Sequence, residues 1–255
     1  MTTASNQDIP RKVAASQGFH WVAAGFRLYR KNPLLLSAAF GVLFGVVMAL
    51  GLIPVVGGSL SELASPLMVA GFMAAYRVLD GGELELPNFL AGVSGPAIPL
   101  MAVGAVQLLG TLLIGKIMLG MGFDAQAIMA AAQSQKDPVE MQALLNQAMP
   151  AVFTGLLLFT PVIMATWFAP ALILFGGARP ATALGVSLKA VARNWAAMMV
   201  NGITLGLLLF LAALVPMLLG LLVAMPVLFG SLYASYQAIF AVWADEPAPS
   251  NVVSL

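Results

Sequence analysis

The chain has one histidine, His20, and no cysteine. A lone imidazole makes no zinc site, and without thiols neither a disulfide nor a sulfur-ligated metal can form. The sequence holds no His-Glu-x-x-His, no pair of intramembrane aspartates and no serine with a histidine partner in an apolar stretch. Hydrolytic and metal chemistry therefore have no visible apparatus. A Gly-x-x-x-x-Gly-Lys-Ser/Thr loop is missing as well, which argues against ATP coupling by this chain. No catalytic, cofactor-binding or metal-ligating residue is expected, and the protein is expected to be non-enzymatic. His20, beside Trp21, reads as filler in an interfacial segment.

Two ionisable residues interrupt apolar stretches, Glu62 and Lys116. A charge in hydrocarbon costs several kcal/mol and often marks a pair or a pathway. Both lie near the same expected membrane surface, so they either form an intramembrane ion pair or snorkel separately to the headgroups. Gln107, Thr111, Thr154, Thr160, Thr166 and Asn201 are expected to hydrogen-bond between helices. Gly41-x-x-x-Gly45 and Gly202-x-x-x-Gly206 are expected to let helices approach closely, for internal packing before dimerisation.

The surrounding elements follow from composition. Only 8% of the 255 residues are charged and 61% are hydrophobic, with a mean hydropathy of +0.97. Too few polar side chains exist to cover a water-facing globule. The fold class is thus all-α, a polytopic integral membrane protein forming one domain over 1–255. Apolar stretches suited to crossing a bilayer cover 33–53, 60–79, 96–119, 151–175, 196–215 and 218–243, six in all. Basic amphipathic helices are expected at 12–32 and 180–195, an outer amphipathic loop at 123–149, and a disordered tail at 244–255. In that loop Asp137-Pro138-Val139-Glu140 signals a helix start. The first 32 residues lack the apolar core of a signal peptide, so no processing is expected.

Lys and Arg collect on particular flanks. Arg11, Lys12, Arg27, Arg30 and Lys31 precede the first stretch, and Arg179, Lys189 and Arg193 lie between the fourth and fifth. Those flanks should be cytoplasmic, which places both termini inside. Arg27, Arg30, Lys31, Lys189 and Arg193 are candidates for lipid headgroup contact, each worth about 1 kcal/mol near an anionic surface. Trp21, Tyr29 and Trp195 suit that level, being apolar rings with a polar edge. The same pattern also fits ordinary positive-inside anchors without lipid preference. With a net charge of +1, membrane lipids, anionic ones included, are the expected partners, with a protein partner or a second copy open and nucleic acid excluded.

Two distant parts of the chain repeat one pattern. Val22, Phe26, Tyr29 and Pro33 match Leu184, Leu188, Val191 and Trp195, while Arg27, Lys31 and Asn32 match Lys189, Arg193 and Asn194, all offset by 162. Pro54 then answers Pro216, Pro66 answers Pro226 and Tyr76 answers Tyr236. Each unit would be an amphipathic helix followed by a two-span hairpin, the two related by an axis along the membrane normal. Gly and Pro are abundant, 25 and 16 residues, so some matches arise by coincidence.

Gly25-Phe26-Arg27-Leu28-Tyr29-Arg30-Lys31-Asn32-Pro33, the Ile53-Pro54-Val55-Val56-Gly57 turn and Arg77-Val78-Leu79-Asp80-Gly81-Gly82-Glu83 resemble an uncharacterised family of proteobacterial inner-membrane proteins. The likeness spans most of the chain. It implies six helices and a bacterial inner-membrane location, and it brings no established activity or catalytic residue. Two function classes fit the sequence. One is a non-enzymatic component that organises partners or lipids through its basic helices. The other is a small transporter or channel, suggested by the repeat, the proline-interrupted helices and Glu62 with Lys116.

Overall fold

A computed structural model of the chain describes residues 10–134 and 137–240. Eleven α-helices and no strand occur among them: α1 (Gln17–Tyr29), α2 (Pro33–Gly51), α3 (Gly57–Gly81), α4 (Ala91–Ser94), α5 (Ala97–Gly120), α6 (Ala125–Gln133), α7 (Pro138–Thr166), α8 (Ala169–Gly176), α9 (Pro180–Arg193), α10 (Trp195–Ala213) and α11 (Leu221–Ile239). Five helices or helix pairs are long and apolar enough to cross a membrane: Pro33–Gly51, Ala97–Gly120, Val139–Gly176, Trp195–Ala213 and Leu221–Ile239. The stretch expected at 60–79 is helical within α3, a helix of 25 residues. Glu62, Arg77 and Asp80 make α3 less apolar than the other five. The tail at 244–255 and the end of the sixth stretch, 241–243, lie outside the described residues.

The chain forms two compact units, one of 1–105 with 164–255 and one of 106–163. In the first, a continuous apolar core joins α1, α2, α3, α8, α9, α10 and α11. Its centre is aromatic: Phe72 stacks on Phe229 with ring centroids 4.5 Å apart and meets Phe89 edge-on at 5.2 Å. Tyr76 donates its hydroxyl to the Pro226 carbonyl at 2.6 Å, fully buried. Asn201 on α10 accepts from the Ser231 hydroxyl on α11 at 2.8 Å. By contrast Thr154 and Thr160 return their hydroxyls to carbonyls four residues back, Pro150 and Leu156, and so serve their own helix.

Glycine decides which helices touch. α1 packs mainly on α11 and then on α10. A Cβ at Gly18 would overlap the backbone of Ala197 and Asn201, and one at Gly25 would overlap Val227, Gly230 and Ser231. After α3 the chain turns back along it, with Gly71 against the Phe89 backbone, Gly92 against Leu67 and Gly104 against Glu62 and Leu63. The glycines singled out by spacing behave differently. Gly45, Gly202 and Gly206 face open space, and Gly41 meets only the Leu222 side chain at an ordinary 3.7 Å. Their expected role in internal packing is corrected: the i, i+4 spacing places them on outward faces of α2 and α10, and single glycines elsewhere make the crossings.

The connection between α7 and α8 breaks at Thr166–Phe168 ahead of Pro170. Ser187 of α9, fully buried, repairs it by donating to the Met164 carbonyl at 2.8 Å and accepting from the Phe168 N–H at 3.0 Å. In the second unit, Asp124 caps α6 by accepting from Gln126 and Ala127 N–H at 2.9 and 3.0 Å, and Asp137 accepts from Val139 N–H at 2.9 Å at the start of α7. Gly110 lies against Val162, and Gly155 against Met118. The expected outer loop at 123–149 is largely helical. α7 starts at the Asp137-Pro138 signal and runs 29 residues without a stop, with Pro150 and Pro161 inside it.

The glycine contacts set a stability contrast. Gly25→Ala should lower the unfolding midpoint in detergent by an amount equivalent to about 1–3 kcal/mol, the usual cost of overpacking. Gly206→Ala should leave it unchanged or raise it slightly. Tryptophan fluorescence during heating reads both, and equal midpoints would contradict the packing just described.

Candidate functional site

One end of the first unit gathers the charge. Lys31, in the link between α1 and α2, donates to the Leu79 and Asp80 carbonyls at 3.2 and 3.4 Å and pairs with the Asp80 carboxylate at 3.5 Å. It thereby caps the C-terminus of α3, where partial negative charge accumulates. Arg77, one turn earlier, sits 5.0 Å from the Phe175 ring centroid as a cation–π contact. Phe175 touches Tyr236 in turn, with centroids 5.6 Å apart, and the Arg11 N–H donates to the Ile239 carbonyl at 3.0 Å. The ends of α3, α8 and α11 therefore meet at this one end.

Asn194, between α9 and α10, closes the arrangement. Its Oδ1 accepts from Val13 N–H at 2.9 Å, and its Nδ2 donates to the carbonyls of Arg11 at 2.9 Å and Ala190 at 3.0 Å. Asn32, its partner in the repeat, does a different job by capping α2 through Leu35 N–H at 3.4 Å. Among the described residues, every Lys and Arg except Lys116 belongs to this end or to the last turns of α1 and α9 leading into it. An open cleft of about 560 Å³ lies here, lined by Lys31, Asn32 and residues 79–84.

The five candidate headgroup cations divide. Arg27, Arg30, Lys189 and Arg193 are exposed and carry no side-chain hydrogen bond or ion pair among the described residues. Lys31 is committed to α3. The helices that bear them are corrected in one respect: neither floats freely at headgroup level. α1 buries Gly18, Trp21, Val22, Gly25, Leu28 and Tyr29 in the core, and α9 buries Ala183, Ser187, Ala190 and Val191. The docked faces mix small residues with large apolar ones, whereas Phe26 and Leu188, a matched pair of the repeat, are exposed. Trp21 is 3% exposed, and Tyr29 is buried with its hydroxyl 3.0 Å from that of Ser37, so neither ring is an interface anchor. Trp195 is 67% exposed.

Glu62 belongs to the first unit and Lys116 to the second. Glu62 is half-buried in α3, with Oε2 out of solvent and without a hydrogen-bond partner. Lys116 is exposed on α5. His20 is exposed on α1.

Hydropathy alone could not place the docked face of α9, because it is made largely of alanine and serine, which carry little of that signal. For α1 the usable signal was the pair Gly18 and Gly25, seven residues apart on one face.

Long apolar helices that carry few charges define an all-helical transmembrane protein. Among curated proteins, a probable inner membrane protein of Burkholderia thailandensis is 31% identical over 266 residues, covering 91% of this chain and 93% of that protein. The chain belongs to this inner-membrane protein family. No family model matches the sequence. No solved structure matches it either.

Asn194 gives this end a local test. Asn194→Ala removes the bonds to Arg11 and Val13, each worth about 1 kcal/mol net. Trypsin should cut after Arg11 and Lys12 roughly thirtyfold faster in the variant, because cleavage follows the open population. An unchanged rate by peptide mapping would contradict the tether.

Proposed function

We propose that this chain is a non-enzymatic component of the bacterial inner membrane that gathers anionic lipids, or a partner, at its basic end. The carrying observation is that Arg27, Arg30, Lys189 and Arg193 point away from the protein while the opposite faces of α1 and α9 are locked into its core. Rigid support matters because a cation already held in place loses less conformational freedom when it binds a phosphate. Four such cations at about 1 kcal/mol each favour anionic headgroups over zwitterionic ones. Nucleic acid has no part in this reading.

In the same reading α3 is the sixth span, and the basic end with both termini faces the cytoplasm. The parallel repeat is supported by a backbone coincidence: Val55 and Met217, 162 positions apart and each following a proline, both have positive φ, 70° and 56°. Docking departs from two-fold symmetry, since α1 packs on α10 and α11 while α9 packs on α8. The alternative is a small transporter or channel. It rests on the unpartnered Oε2 of Glu62 within an apolar helix.

Native mass spectrometry of detergent-extracted protein tests the proposal. The wild type should retain anionic phospholipid, and the variant carrying Arg27→Ala, Arg30→Ala, Lys189→Ala and Arg193→Ala should lose at least tenfold of it, given about 1 kcal/mol per cation. Equal retention, or no lipid on the wild type, would overturn it. An activity lost in Glu62→Gln with lipid retained would favour transport.

A further inference from the structure

The end of the first unit away from the charge consists of two helical turns, 52–56 between α2 and α3 and 214–220 between α10 and α11. No charged residue occurs between Lys31 and Glu62, nor between Arg193 and Asp245. The turn side chains are large, apolar and uncovered by the rest of the protein: Leu52 is 83% exposed, Val55 100%, Leu214 66% and Met217 89%. Loops that enter water are normally built from Gly, Asn, Asp and Ser. These are built from Leu, Ile, Val, Met and Pro, with Gly220 the single exception at the end of the second turn.

Helix length says where such tips stop. α2 and α10 have 19 residues each, which at 1.5 Å per residue reach about 28 Å from the basic end. The hydrocarbon layer is about 30 Å thick. With the cations held at one headgroup layer, the tips arrive at or short of the far edge of the hydrocarbon, and any tilt shortens the reach further.

The turn backbones suit a dry medium. In hydrocarbon each N–H must find a partner inside the protein. Leu52 and Ile53 donate back into α2, Val56 and Gly57 to the Pro54 and Ile53 carbonyls, Leu214 and Val215 back into α10, and Leu218 and Leu219 to the Val215 and Pro216 carbonyls, while the Val55 N–H has no acceptor among the described residues. Pro54 and Pro216 have no N–H to satisfy. Val55, Met217 and Leu218 accept positive φ to close these turns, a conformation rare for such residues. Asparagine or glycine would adopt it with less strain but would bring polarity or bare backbone.

We infer that both hairpin tips are seated in the acyl-chain region of the far leaflet, so that neither turn forms an aqueous loop. The tips form a lipid-binding surface whose ligand is the acyl chain. The basic end and the tips then fix the depth of the unit from opposite sides, headgroup phosphates holding one and hydrocarbon the other. The inference stands apart from the lipid selectivity proposed above, because acyl chains are common to all phospholipids.

Since the chain has no cysteine, Leu52→Cys, Leu214→Cys and, as a water-exposed control, Glu83→Cys can each carry one nitroxide label in vesicles of mixed phosphatidylethanolamine and phosphatidylglycerol. Collision with oxygen reports hydrocarbon, and collision with a polar nickel chelate reports water. Labels at 52 and 214 should relax strongly with oxygen, with nickel collision about tenfold below that at 83, because a polar solute partitions poorly into hydrocarbon. Nickel collision equal to that at 83 would overturn the inference by placing the turns in water. Low collision with both reagents would also overturn it, since a protein partner or second copy would then cover the tips.

Discussion

Hydrocarbon rejects uncompensated charge, and this chain is arranged around that constraint. Cations in the first unit are collected where α3, α8 and α11 end and where α1 and α9 turn into α2 and α10. Lys31 and Arg77 show how such an end is held, one by capping carbonyls at 3.2 and 3.4 Å and the other by lying over an aromatic ring at 5.0 Å. The opposite end carries no charge at all between the flanking ionisable residues. A polarity of this kind orients a protein in a bilayer without any specific ligand.

Between the two ends, packing is governed by where a side chain is missing. In lipid there is little hydrophobic drive for helices to associate, so close approach and hydrogen bonding must supply it. Gly18 and Gly25 bring α1 onto α10 and α11, and Gly71, Gly92 and Gly104 let the returning chain lie along α3. The buried polar contacts reinforce the same crossings, with Tyr76 reaching Pro226 and Ser231 reaching Asn201. Docking α1 in this way turns an amphipathic segment into a fixed platform for Arg27 and Arg30. Ser187 does likewise for α9, tying it to the break between α7 and α8.

Much of this was legible from sequence, for reasons that can be stated. Long apolar runs have one physical solution in a bilayer, so the helices at Pro33–Gly51 and Ala97–Gly120 fall within a few residues of expectation. The Asp137-Pro138 start was equally readable, because a cap and a proline act locally. The extent of α7 was not, since polarity falling in a loop and polarity on one face of a helix look alike in composition. Gly41, Gly45, Gly202 and Gly206 misled because spacing defines a face without saying what the face meets. Trp21 misled in the opposite sense: its ring suits an interface, yet the glycines beside it pull α1 into the core. The matched positive φ at Val55 and Met217 lies beyond residue types altogether, and only the backbone reveals it.

The account rests on one sidedness, with every part of the charged end at the cytoplasmic surface. Lys12→Cys and Arg193→Cys, far apart in sequence and both beside Asn194 in the fold, can be probed with an impermeant maleimide in intact spheroplasts and in inverted vesicles. Both positions should be protected in spheroplasts and react in inverted vesicles. Reaction of either one in intact spheroplasts would contradict the account.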